Sequence, residues 1–401
     1  MTTATPWPGE NPACLNPHPD DPLRLIADLP SPCVQNHAAN LMPLSNGDLA
    51  CVWFGGSQEG KSDISVYFSR LPAGGTCWSP AVKLSDDPAR SEQNPILFPA
   101  PDGTLRLFYT AQKSGNQDTS IIRYRVSQDN GVTWGPIGVL FDQPGTFVRQ
   151  PVIVLDNGDW LIPVFYCRTS PGEKWVGNDD VSAVRISSDQ GRTWNEVEVP
   201  ASVGCVHMNI EKMPDGSLFA MYRSRWADNV YMSRSDDNGR TWTPPVPTEL
   251  PNNNSSIQFT RLTNGHLAIV FNDSSAAQAI ERRLSLYDEI EDEEQMASAA
   301  SPAVEPTPSA GRRTAFWGAP RAPMTLAISE DGGRTWPFKR NLEVGDGYCM
   351  TNNSELQLNR EYSYPSIKQT PDGFIHIAYT FYRQKIRYVR LREEWVKAGN
   401  K

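Results

Sequence analysis

His37, His207 and Tyr364 are the residues in this chain best suited to move protons, and Arg149, Arg223 and Arg261 are the cations that can hold an acidic ligand beside them. An imidazole titrates near neutrality, so it can give or take a proton at ordinary pH. A phenol can assist that transfer, and a guanidinium meets a carboxylate through two parallel hydrogen bonds. Such a set suits abstraction of a proton next to a carboxylate, with the arginine stabilising the charge that develops as the proton leaves. Phase singles these residues out. Gln35-Asn36-His37, Gln93-Asn94, Arg149-Gln150, His207-Met208-Asn209, Gln258 with Arg261, and Arg360-Glu361-Tyr362-Ser363-Tyr364 are polar at one recurring point of an otherwise apolar repeat. One strand later, Glu59 and Asp63 stand in Gly55-Gly56-Ser57-Gln58-Glu59-Gly60-Lys61-Ser62-Asp63, and Arg223 and Arg225 follow Met221-Tyr222. Arg223 and Arg225 are two apart and so face the same way on a strand; one of them is expected to form a structural ion pair. For Asp63 the competing role is a turn cap. Of the other histidines, His18 sits in a Pro-rich tail, and His266 and His376 follow hairpin glycines, where packing or surface roles are expected.

Two interleaved repeats must position these groups. Ser-x-Asp-x-Gly-x-Thr-Trp occurs four times, at Ser127–Trp134, Ser187–Trp194, Ser235–Trp242 and Ser329–Trp336, with a decayed fifth copy from Ser69 to Trp78 in which Cys77 replaces Thr. Each copy reads as a turn between strands. Asp and Ser bond turn amides, Gly takes the left-handed position, and Trp packs back. Asn-Gly or Asp-Gly hairpins stand at residues 46, 102, 157, 215, 264 and 372, so the first four intervals are 56, 55, 58 and 49 residues and the last is 108. A period near 50 with strand alternation predicts an all-β propeller of six blades, beginning near residues 33, 90, 148, 206, 256 and 362. The whole chain, 1–401, is expected to be this single domain. Leu23–Leu29 is expected to close the ring against Lys385–Leu391. Residues 274–320 do not fit a blade and read as an insertion within the fifth. Gln278–Met296 has helical character there, an acidic run covers 288–294, and a Pro/Ala/Ser tract follows; a solvated, partly disordered insertion is the expectation.

Composition narrows the partners. The net charge of -9 and the lack of any basic run argue against nucleic acid. An acidic ligand must then be held by local arginines. No apolar stretch approaches a membrane span. Met1–Pro17 is polar and broken by Pro, unlike a secretory signal, so a cytoplasmic protein is expected, with a mature secreted form as the alternative. Seven scattered cysteines without a CxxC pair read mostly as small buried groups. No HExxH, cysteine pair or glycine-rich phosphate loop is present, so no metal and no cofactor is expected.

The four-fold motif is the Asp-box, or bacterial neuraminidase repeat, and the chain resembles the sialidase superfamily of β-propellers over nearly its whole length outside the insertion. The resemblance implies that the Asp-boxes lie on the outer rim and that the ligand site lies at the mouth of the central channel. Tyr364, eight residues before Asp372-Gly373, looks like the sialidase nucleophile. Arg223, eight after Asp215, looks like one member of the arginine triad. Two positions depart from the pattern. His207 stands where the Glu that activates the tyrosine belongs, and His37 stands where the first triad arginine belongs. Asp63 lies roughly where the sialidase acid would be, and Arg149 or Arg261 would have to replace the missing arginines.

The departures point to β-elimination from a uronic-acid-containing glycan. Gln35-Asn36-His37-Ala38-Ala39-Asn40, Trp53–Gly60 and Glu361–Gly373 resemble a sialidase-like "predicted neuraminidase" group whose members include fungal lyases that split rhamnose from glucuronate. The expected function is thus a polysaccharide lyase with a carboxylate-bearing glycan as substrate. His37, His207 and Tyr364 are its catalytic candidates. Arg149, Arg223, Arg261, Asp63, Glu59, Asn94, Gln150, Gln258 and Tyr362 are its substrate-binding candidates. The alternatives are an exo-sialidase-type glycoside hydrolase and a non-catalytic glycan-binding propeller.

Overall fold

The computed structural model describes residues 11–169, 173–283, 313–349, 351 and 353–399. Six antiparallel sheets form the blades of a propeller, and in each one consecutive strands run outward from the axis. The innermost strands are Gln35–Pro43, Ser91–Pro99, the split pair Thr146–Phe147 and Ile153–Val154, Cys205–Lys212, Gln258–Arg261 and Tyr362–Gln369. The hairpin dipeptides join first strands to second strands as expected. At Gly216, for example, φ is +85° and a Cβ would touch nothing, so glycine serves the turn geometry and not a shortage of space.

The Asp-boxes join third strands to fourth strands in blades two to five. In the blade-four copy, Asp237 accepts from the Thr241 amide at 2.8 Å and from the Thr241 hydroxyl at 2.7 Å, and Ser235 Oγ accepts from the Gly239 amide at 2.9 Å. Gly239 also abuts the preceding blade. A Cβ there would lie 2.6 Å from Leu161, so the box fixes the seam between blades as well as its own turn. Six hydrophobic clusters fill the six seams, and each draws residues from two neighbouring blades. Stability is therefore spread around the ring, and the axis is left to polar groups.

Closure follows the expected route. Asp21–Asp28 pairs antiparallel with Lys385–Leu391 and completes blade six with the chain's first long strand. Asp28 binds Arg387 at 2.9 Å and Lys385 at 2.5 Å across that seam. Cys14 forms a disulfide with Cys77, in the decayed box of blade one, which departs from the reading of these cysteines as buried single thiols. Residues 274–320 lie between the second strand (Leu267–Asn272) and third strand (Met324–Ser329) of blade five. The acidic run and most of the helical stretch fall outside the described residues. The returning limb of the insertion docks on blades three and four. The Phe316 amide donates to the Arg225 carbonyl at 2.8 Å, and Trp317 Nε1 donates to the Val176 carbonyl at 3.0 Å.

Candidate functional site

Four of the innermost strands carry the same irregularity. The ladder slips at Ala38, Asn94, His207 and Tyr364, and each of these residues has a positive φ, of 61°, 49°, 54° and 52°. Such a conformation costs a non-glycine residue roughly 1–3 kcal/mol. A bulge re-aims a side chain that strict alternation would send elsewhere. Here the slips turn Asn94, His207 and Tyr364 toward the axis, and these three line one cavity together with Glu59, Gln93, Arg223 and Arg225.

Tyr364 is at the centre of this site. Its hydroxyl accepts from Arg223 Nη1 at 2.6 Å. Its ring lies 4.2 Å from the His37 ring and 5.6 Å from the His207 ring, centre to centre. The guanidinium carbons of Arg149, Arg223 and Arg321 stand 5.4, 5.6 and 5.6 Å from its centroid. Burial, followed by the surrounding arginines, holds both imidazoles well below the usual histidine range, so both are neutral at physiological pH. Burial likewise lowers Arg223 to about 9. Arg223 Nη2, His207 Nδ1 and Asn94 Oδ1 are buried without a hydrogen-bond partner. Unmet polar atoms converging on one small cavity are what a polar ligand would satisfy.

Among the described residues, five buried arginines (149, 223, 225, 321 and 383) surround the site against three buried carboxylates, Glu59, Glu361 and Asp180. The local balance of +2 contrasts with the chain's -9. Arg225 is paired with Asp180 at 2.7 Å, which makes it the structural member of the Arg223/Arg225 pair. Arg383 binds Glu59 at 2.5 Å and Glu361 at 3.0 Å, and Arg321 reaches Glu361 at 3.2 Å. Among the described residues, the hydrogen-bond partners of Arg223 are neutral, Asn254 Oδ1 at 2.8 Å and the Tyr364 phenol. It therefore keeps its charge for a ligand.

Several candidates stand away from the cavity, each for a physical reason. His37 precedes its bulge residue instead of occupying it. It is fully buried behind Tyr364, with Nδ1 2.9 Å from Thr380 Oγ1. Arg149 donates to the carbonyls of Ala39, Tyr364 and Pro365 at 3.0–3.2 Å, so its guanidinium ties blade three to blades one and six. Gln150 and Gln258 bond each other at 3.0 Å, and Gln258 also accepts from Ser366 and Ile367, which braces the axis. Asp63 is exposed and caps its own loop through the amide and hydroxyl of Ser57 at 2.8 and 3.0 Å. Arg261 is exposed and stands at the hairpin end of its strand, paired with Leu267, at the opposite end of that strand from Gln258. Tyr362 packs into the seam between blades five and six against Phe381 and Tyr382.

Other residues of the site escaped the sequence reading. Arg383 follows the second strand of blade six, three residues past Thr380, which holds there the phase of Arg223 in blade four, so phase does not point to it. Trp317 belongs to the aperiodic insertion and Arg321 directly follows it, and neither carries a signal of phase. Trp317 covers the arginine side of the site, its ring 5.6 Å from Arg223 and 5.1 Å from Arg225. The cavity is small, about 10 Å³, close to the volume one water needs. Among the described residues, a cluster with metal-ligand chemistry, His266, Glu330 and Glu393, lies away from this site, and the Lys397 ammonium binds both of its carboxylates.

The fold recurs in solved structures. The Hadza microbial sialidase Hz136 superposes with a TM-score of 0.65 at 16% identity, covering 91% of this chain and 67% of that one. The intramolecular trans-sialidase from Ruminococcus gnavus gives 0.61 at 14% identity, covering 90% and 95%. A protein of unknown function from Dyadobacter fermentans gives 0.63 at 14%, covering 91% and 98%. These identities establish the shared propeller and leave activity open. No curated protein sequence matches the chain. The model of the BNR repeat-like domain matches residues 47–377, more than three-quarters of the sequence, and the chain belongs to that family.

Proposed function

We propose that the protein is a glycan-processing enzyme, specifically a lyase that cleaves a uronic-acid-containing glycan by β-elimination. The observation that carries this reading is the surroundings of Tyr364. Its phenol is held by Arg223 and flanked by neutral imidazoles, and among the described residues no carboxylate bonds it. A tyrosine nucleophile of the sialidase kind needs a neighbouring carboxylate to activate it. Glu59, the carboxylate lining the cavity, is ion-paired with Arg383.

Elimination needs different parts. The C5–H bond breaks and its proton passes to a base. The electron pair forms a C4=C5 double bond, and the C4–O bond breaks with the leaving oxygen taking up a proton. Arg223, charged and without a carboxylate partner, would grip the uronate carboxylate and stabilise the developing enolate-like charge. His207 and Tyr364 both line the cavity and would share the roles of base and acid. His37 would hold the Tyr364 ring from behind. The hydrolase reading keeps Tyr364 as nucleophile and Asp63 as acid; the exposed, loop-capping position of Asp63 disfavours it.

The test is incubation with a rhamnosyl-glucuronate oligosaccharide while ultraviolet absorbance is followed. The expected result is an unsaturated uronate product, with turnover lost on His207→Asn and Tyr364→Phe. Consumption of the substrate without new absorbance would sink the lyase reading. Release of sialic acid from a fluorogenic sialoside, lost on Tyr364→Phe, would put the hydrolase in its place.

A further inference from the structure

A second cavity, of about 320 Å³, opens behind the wall that carries Asp180 and Arg225. It is lined by Val203, Pro245, Trp226, Tyr231, Asn178 and Arg313, among others. The two cavities share backbone. Asp180 and Arg225 serve the first, and their neighbours Asp179 and Trp226 line the second. Gly204 links the two segments, its amide donating to the Asp180 carbonyl at 2.8 Å and its carbonyl accepting from the Arg225 amide at 2.7 Å. We infer that the second cavity binds a neutral sugar unit of the glycan, remote from the linkage that is cleaved. The inference rests on the glycan reading above.

Size, rigidity and charge support it. The volume lies in the range of small-molecule pockets. Trp226 is fixed by its seating on bare backbone, because a Cβ at Gly204 would come within 2.2 Å of the indole, at a φ of +80°. The cavity thus combines a preorganised aromatic wall with Val203, which is 48% exposed at its lip. The polar groups are equally prearranged. Arg313 is anchored by Asp228 at 2.5 Å and by the Tyr231 hydroxyl at 3.1 Å, and its guanidinium stands 5.0 Å from the Trp226 ring centre. Its charge is matched by Asp228, so Arg313 offers this cavity no unpaired cation to attract an anion. The first cavity, with its surplus of arginine, holds one. Apolar and aromatic surface with fixed, charge-compensated hydrogen-bonding groups suits a polyhydroxylated, uncharged ring.

The experiment uses the full chain and three probes: methyl β-D-galactopyranoside, methyl α-L-rhamnopyranoside and methyl β-D-glucuronide, followed by ligand-observed saturation-transfer NMR and calorimetry. Binding of at least one neutral glycoside is expected. It should weaken by about tenfold or more, 1.4 kcal/mol or above, in Val203→Arg, which blocks the lip from an exposed position, and in Trp226→Ala. Tyr364→Phe should leave it unchanged. The inference is overturned if neither neutral glycoside binds, if both variants bind as well as the parent, or if the glucuronide competes for the same place. Turnover of the acidic oligosaccharide is scored separately. Turnover without neutral binding refutes this inference and spares the proposed function, and neutral binding without turnover does the reverse.

Discussion

Stability should fall steeply on mild acidification, and His207→Asn should remove a defined part of that fall. His37 and His207 are held well below the ordinary histidine range, first by burial and then by the arginines around them, and His376 is lowered to about 4 by burial. A histidine whose folded pKa is depressed contributes nothing above its unfolded pKa, near 6.5, because both states are then neutral. Below it the unfolded chain takes up a proton that the native fold refuses, so stability is lost as pH falls until the folded pKa is reached. At pH 5.5 an unfolded imidazole is about nine-tenths protonated, so each such histidine costs about 1.2 kcal/mol per pH unit, and the three together about 3.7. Glu92 and Glu211, raised by burial, act in the opposite direction at lower pH, so the difference between two proteins is the cleaner quantity. Asparagine tolerates the left-handed backbone that residue 207 adopts, at φ 54°. Urea denaturation at pH 7.0, 6.0 and 5.0 should give the variant a pH slope smaller by about 1.2 kcal/mol per unit between 6 and 5. Equal slopes would mean that His207 is protonated in the native state, and the picture of a neutral base beside Tyr364 would fall with it.

For the same reason the acid limb of kcat/KM should lie below pH 6, since His207 stays neutral there; a limb at or above 6.5 would contradict the burial argument. Tyr364→Phe removes the acceptor of the 2.6 Å bond from Arg223 and should cut turnover by about 10²–10⁴ with KM little changed, as expected for a proton-transfer partner. Asp180→Asn leaves Arg225 buried and unpaired and should cost about 3–5 kcal/mol, measured by denaturation. Cys14→Ser opens a covalent link spanning 63 residues and should lower stability by up to about 4 kcal/mol in the chain-entropy model, with activity unchanged. Reductant should have that effect on the parent protein and none on the variant.

The architecture was legible because it is written several times. The Asp-boxes and the hairpin dipeptides carry their turn chemistry locally. Gly239 and Gly216 need only their own φ and nearest neighbours, so the number of blades and the closing strand follow from spacing alone. Trp317 and Arg321, in and just after the insertion, had no such support. Both reach the site through a stretch that obeys no period, and only the folded path of residues 313–321 brings Trp317 beside Arg223 and Arg321 beside Tyr364. The Glu59–Arg383–Glu361–Arg321 network joins segments more than 300 residues apart in sequence, and partners in such a network leave no mark on one another's local pattern.

Side-chain direction separates the site residues that phase could find from those it could not. Tyr362 and Tyr364 are two apart, so strict alternation would send both to the same face of the sheet, into the seam. The ladder slips between Ser363 and Ser366, and the positive φ at Tyr364 breaks the alternation there. Tyr362 stays in the seam between blades, and Tyr364 swings to Arg223. The same device separates the two histidines. His207 is itself the slipped residue and lines the cavity, whereas in blade one the slip falls on Ala38, which leaves His37 behind the tyrosine. Arg223 and Arg225 lie where no slip intervenes, and alternation places both against the cavity. A non-glycine residue gives no sequence signal that it will take a left-handed backbone, so phase located the ring of polar positions but not which of them face inward. The strain at those positions is stored where the chemistry is proposed. If the bulges serve only packing, His207→Gly, which keeps the backbone at its positive φ without strain, should leave turnover intact; loss of turnover with the fold retained is the outcome this account requires.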